Sequence, residues 1–192
     1  MQNNYPQSRT EEFLNSLTHI SAAGVFLYLS SSTRIYAGSI YALIFSLMFF
    51  ISFLYHSETR WKSILRSVDQ FFIYIAIGAS GLLIPDSLSV FQSIFFVSFL
   101  SLSILHHVIR HLLKISEGYT IPLLYLANGI ISGFLLLTES QALSPALWLG
   151  IGSYLVGFYF YLKDHIKYYH AIWHVMCSLG AYLLYVHLNS LF

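Results

Sequence analysis

Five residues of this chain have types and spacings that suit metal chemistry. Ser52 and His56 lie four apart, His170 and His174 lie four apart, and Asp69 falls between the two pairs. A spacing of four puts two side chains on one helical face, so each pair can aim at one spot. Three imidazoles can supply three nitrogen ligands. Three protein ligands with a fourth position for water is the usual arrangement of a catalytic zinc site. Imidazole also suits other transition metals, so the donors alone do not fix the ion. Glu12, Asn15 and His19 form a further stripe at i, i+3 and i+7. It has two readings: groups that hydrogen-bond to the ligands and orient them, or a helix start followed by polar packing between helices.

The elements that must position these residues follow from composition. Of 192 residues, 57% are hydrophobic, 18% aromatic and only 9% charged. A soluble domain carries about 25% charged residues, so that class is excluded, and disorder is excluded by the high hydrophobicity. A net charge of +1 offers no basic face to nucleic acid. The single cysteine, Cys177, rules out an internal disulfide.

Apolar runs separate near Phe13–Ser31, Ile35–Tyr55, Ser67–Pro85, Leu88–His106, Tyr119–Thr138, Leu143–Leu162 and Tyr168–Leu191. They match the roughly 20 residues that a helix needs to cross a bilayer. Their continuous apolarity favours helices over the alternating strands of a barrel. The third is long enough only if Asp69 is included. Pro85-Asp86 and Gly118 punctuate the runs, and Ser144 before Pro145 reads as an N-cap with proline in the first turn. The fold class expected is an all-α membrane protein: a seven-transmembrane helix bundle, one domain over residues 1–192, multi-pass in the cell membrane.

Eight of the nine basic residues, all but Arg34, flank one side of this topology. The excess predicts a cytoplasmic N-terminus and a C-terminus outside. The start of the chain does not read as a cleaved signal peptide, because Glu11 and Glu12 abut the first span. In this orientation span two ends, and spans three and seven begin, at the cytoplasmic side. The five residues therefore fall at one depth, near the inner leaflet. Ionisable groups placed there are costly and point to a site.

The other histidines read differently. His106, His107 and His111 adjoin Arg110 and Lys114 and suggest a solvated helix end facing headgroups. His165 sits in a charged loop, and His187 has no evident partner. Gly78, Gly81, Gly129, Gly133, Gly150, Gly152, Gly157 and Gly180 suit close helix contacts.

Four stretches carry a family resemblance. They are Glu11-Glu12-Phe13-Leu14-Asn15-Ser16-Leu17-Thr18-His19, Ser52-Phe53-Leu54-Tyr55-His56-Ser57, Arg66-Ser67-Val68-Asp69 with Ile73-Tyr74, and His170-Ala171-Ile172-Trp173-His174. In these the chain resembles the hemolysin III family, the bacterial branch of the progestin and adipoQ receptor proteins, which are related to the alkaline ceramidases. The resemblance spans nearly the whole chain. It implies seven helices, a cytoplasmic N-terminus and a zinc ion held by His56, His170 and His174, with Asp69 and Ser52 holding or activating water beside it. The chain departs from the family pattern at Gln70, at Gly78-Ala79-Ser80-Gly81 and at Tyr182 to Tyr185.

The expected function is zinc-dependent hydrolysis of a lipid amide or ester, with a membrane lipid as substrate. Ala171 follows His170, so the pair lacks the Glu of soluble zinc proteases, and Asp69 is the natural base. One alternative is a receptor or regulator of membrane lipid state with a structural zinc. Another is a membrane-damaging cytolysin, as the family name suggests. The sequence offers no amphipathic segment suited to inserting into a foreign membrane.

Overall fold

The computed structural model describes residues 7–58, 60–83, 88–115, 120–139 and 144–191. They form seven helices: α1 (Arg9–Ser32), α2 (Tyr36–Ser57), α3 (Lys62–Leu82), α4 (Val90–Leu112), α5 (Thr120–Glu139), α6 (Pro145–Leu162) and α7 (Tyr169–Asn189). Six are long and apolar enough to cross a membrane. The exception among the described residues is α3, whose first two turns hold Lys62, Arg66 and Asp69. Large apolar side chains cover the outside, with Tyr36 81% and Phe91 78% exposed. A surface of that kind suits hydrocarbon, where helices satisfy their own backbone groups. The bundle is that of a multi-pass membrane protein and is consistent with residence in the cell membrane. The expected turns at Pro85-Asp86 and Gly118 lie outside the described residues.

Local signals start the helices. Ser8 caps α1 in a reciprocal box with Glu11, and Ser89 caps α4 in a box with Gln92. Ser144 caps α6 ahead of Pro145, as the sequence predicts. Three helices run well past their apolar runs: α1 and α3 begin earlier, and α4 continues from His106 to Leu112. A hydrogen-bonded helix propagates cheaply once nucleated, so its end need not coincide with the end of the apolar stretch. All three extensions lie at one end of the bundle and carry Arg9, Glu11, Glu12, Lys62, Arg66 and Arg110.

Cross-helix contacts fix the directions. Ser39 Oγ donates to the Ser30 carbonyl at 2.7 Å and Ser46 Oγ to that of Ala23 at 2.9 Å, so α2 runs antiparallel to α1. Thr33 Oγ1 donates to Asn189 Oδ1 at 2.8 Å, while the start of α7 meets the start of α1, so these two helices run parallel. Tyr41 on α2 donates to the Ala181 carbonyl of α7 at 3.2 Å. Each such bond inside a membrane bundle contributes roughly 0.6 kcal/mol. Between these helices Phe26, Phe45, Phe49 and Tyr41 stack at centroid separations from 4.5 to 6.2 Å. Beyond α2, α3 packs against α4 and α5, and α6 packs on α7.

Small residues close the seam between α6 and α7. A Cβ on Gly180 would meet the Tyr154 ring at 2.9 Å, and one on Gly157 would meet Met176 Cβ at 2.9 Å. Gly78 and Gly81 allow similar approach of α4 to α3, through Leu100 and Phe96. Gly129, Gly133 and Gly152 have nothing within 4 Å of such a Cβ, so they are not the close contacts expected of them. Glycine spacing alone does not say which face meets a neighbour. Gly180→Val should therefore overpack the seam at a cost of about 1–3 kcal/mol. Thermal denaturation in detergent should show its Tm lowered by about 3–10 °C, while Gly152→Val should barely move it.

Candidate metal centre

The site forms at the end of the bundle where α1, α3 and α7 begin and α2 ends. α1 buries Glu11, Asn15 and His19 at i, i+4 and i+8 on one stripe, which continues through Ala22 and Phe26 into the core. α2 brings Ser52 and His56, both buried, on one face. α7 brings His170 and His174, with His174 buried. Each histidine is thus fixed by a helix whose far half is packed in the apolar interior.

His19, His56 and His174 each offer a ring nitrogen within 4.8 Å of those of the other two. The ring centroids lie 3.9 Å apart for His19 and His174, 5.5 Å for His19 and His56, and 5.1 Å for His56 and His174. His170 borders this set, at 4.4 Å from His174 and 5.5 Å from His56. The fold thus gathers all three histidines paired from the sequence, and adds His19 to the tight set where the resemblance supplies His170. Four imidazoles from three helices meet at one point.

The donors fit a metal ion. The Nδ1 atoms of His19, His170 and His174 are buried and have no hydrogen-bond partner among the described residues. Buried polar atoms are nearly always satisfied, and three clustered exceptions on imidazole suit coordination by a shared ion. His56 differs, because its Nδ1 lies 2.6 Å from Glu12 Oε2. A carboxylate on one ring nitrogen of a ligating histidine fixes the tautomer and presents the other nitrogen. Glu12 also accepts from Lys62 Nζ at 2.8 Å through its other oxygen, and Lys62 lies 4.4 Å over the Tyr55 ring.

The remaining predicted residues are placed as follows. Ser52 donates to Asp69 Oδ1, joining α2 to α3 one turn before His56. Asp69 is half-buried and interacts electrostatically with His56 and Arg66. Asn15 is buried one turn before His19 on α1 and donates to Gln7 Oε1 at 2.6 Å, while its Oδ1 has no partner among the described residues.

The sequence assigns Glu11 no role at the site. Its Oε1 accepts from the backbone N–H of Tyr168 at 3.2 Å, and Oε2 accepts from both Ser8 N–H and Ser8 Oγ. Tyr168 has φ of 68°, a conformation that costs a non-glycine residue about 1–2 kcal/mol. Glu11 thus holds the strained residue that launches α7 and sets His170 and His174 against His19. The Ser-x-x-Glu box of Ser8 and Glu11 was the available signal, but it reveals only the helix start.

Two histidines outside the site are structural. His107 is buried, not solvated, with Nε2 3.1 Å from the Ser67 carbonyl, because α4 crosses α3 at that turn. His187 is buried against the N-cap of α6, with Nδ1 2.9 Å from Ser144 Oγ. His165 is exposed.

Fold and geometry define a helical, multi-pass membrane protein with a buried cluster of three histidines able to chelate a metal ion. No family model matches the chain, and neither a curated protein nor a solved structure matches it.

If His19 is a ligand, His19→Ala should reduce metal retained through purification as strongly as His56→Ala or His174→Ala. Elemental analysis by mass spectrometry would show it. Glu12→Gln, which leaves the donors in place, should weaken metal affinity by about 10–100-fold.

Proposed function

We propose that this chain is a metal-dependent hydrolase of the hemolysin III type, acting on an amide or ester bond of a membrane lipid, with zinc as the resident ion. The observation that carries the reading is the meeting of buried imidazoles from three helices at one end of a membrane bundle, with Asp69 tied to Ser52 one turn from His56. His19, His56 and His174 would hold the ion, with His170 beside them. Zinc in such a site acts as a Lewis acid toward a carbonyl and lowers the pKa of water. The four motifs given above support the family assignment, and the clustering of basic residues at the site end supports a cytoplasmic orientation of the site.

The chain's own residues then divide the work. Glu12 fixes the orientation of His56, and Lys62 balances its charge. Asp69, steadied by the Ser52 hydroxyl, is the group that takes the proton from attacking water and returns it to the leaving amine or alcohol. The exposed Phe13, Leu17 and Ile20 of α1 offer apolar surface to the lipid's hydrocarbon.

A second reading rests on His170. Its unpartnered nitrogen beside the tight set can close a four-imidazole shell, which is the pattern of a structural ion. The protein would then be a receptor or regulator whose helices the ion pins together. Asp69→Asn separates the two. Hydrolysis of a fluorogenic ceramide or acyl ester by purified protein should fall at least 100-fold in the variant, with metal content retained. Unchanged turnover would dismiss Asp69 as the base, and no metal-dependent product from the wild type would favour the structural ion.

A further inference from the structure

A cleft of about 730 Å³ opens on the outer wall between α1 and α2, beside the histidine cluster. Its long wall is a stripe of α1, Phe13, Leu17 and Ile20, which are 64%, 47% and 38% exposed, with Phe53 of α2 facing it. Its polar end holds Arg9, Glu12 and Lys62, and the buried His56 is also among its lining residues. From Arg9 to Ile20 the helix rises about 16 Å, roughly half of a ~30 Å hydrocarbon core. The cleft therefore spans about one leaflet, charged at the Arg9 end and mainly apolar beyond it, with the Ser57–Ser16 hydroxyl pair also in its lining.

The charges decide which lipid. Glu12 is matched by Lys62 at 2.8 Å, whereas Arg9 makes no ion pair among the described residues. Two cations against one anion leave the mouth of the cleft positive. An anionic headgroup is attracted there, and a lysine or arginine near a membrane surface contributes about 1 kcal/mol to such attraction. Arg9 presents a fork suited to phosphate.

We propose that this cleft seats an anionic phospholipid of the surrounding leaflet, its phosphate on Arg9 and Lys62 and one acyl chain along Phe13, Leu17 and Ile20. Glu12 stands between that headgroup and His56. A phosphate that takes Lys62 from Glu12 also alters the carboxylate that orients His56, so lipid occupancy and the metal centre are coupled. The inference rests on reading the histidine cluster as the working site, and it identifies α1 and α2 as the side from which that site meets the bilayer.

Photo-crosslinking tests it. Wild-type protein is reconstituted into vesicles carrying a trace of phosphatidylglycerol or phosphatidylcholine with a photoactivatable acyl chain, and labelled peptides are mapped by mass spectrometry. The phosphatidylglycerol probe should label residues 13–20 at least threefold more than the phosphatidylcholine probe. Arg9→Gln should remove that preference, and Leu17→Trp, which fills the cleft, should remove the labelling. Both positions are exposed, so neither variant disturbs the core. Equal labelling by the two probes, or labelling spread over the exposed faces of α4 and α6, would overturn the proposal by making this lipid part of the general annulus. Metal content is measured on the same samples. Retained metal without cleft labelling sinks the cleft alone, whereas cleft labelling without metal sinks the metal reading alone.

Discussion

Two carboxylates in the first turn of α1 hold the working end of this protein together. Glu12 joins α1 to α2 through His56 and to α3 through Lys62. Glu11 joins α1 to the start of α7 through the Tyr168 amide. Near the edge of a hydrocarbon layer a carboxylate without partners is expensive, so adjacent acids at that depth demand cations, amides or imidazoles from neighbouring helices. Meeting the demand fixes where α2, α3 and α7 stand relative to α1. The histidines then have little freedom in where they meet.

The apolar interior supplies the other half of the constraint. Helices in a bilayer gain little from hydrophobic burial against one another, because lipid is as apolar as a side chain. Close approach and cross-helix hydrogen bonds decide the packing instead. The Tyr154 ring over Gly180 and the Gly157 contact with Met176 lock α6 to α7, while Ser39, Ser46 and Tyr41 lock α2 to α1 and α7. The far halves of α1, α2 and α7 are thereby packed against one another. A histidine cluster at the near ends of such helices is prearranged, as chelation of a metal ion requires.

The polar end also differs in construction from the rest of the bundle. There α1, α3 and α4 outrun their apolar stretches, so Glu11, Glu12, Lys62 and Arg66 sit on regular helix rather than on loops. A side chain on a helix has a fixed origin, and the i, i+4 pairs Ser52/His56 and His170/His174 turn that into a shared direction. The proposed catalytic group Asp69 uses the same device, standing on the second turn of α3 within reach of Ser52.

Much of this was legible in the chain itself. Hydrophobic length marked seven helical runs, because a bilayer sets one span length for every helix, and the Ser144-Pro145 start was readable because capping is local. The gathering of His56, His170 and His174 at one end followed from counting spans. The sequence did not reveal that His19 enters the tight set while His170 borders it, because a shared depth says nothing about which faces of α1 and α7 turn inward. The burial of His107 against Ser67, the pairing of His187 with Ser144 and the role of Glu11 at Tyr168 were hidden for the same reason. Each depends on which helices touch and at what rotation. Side-chain periodicity fixes what lies on a helix face, but only packing between helices decides what that face meets.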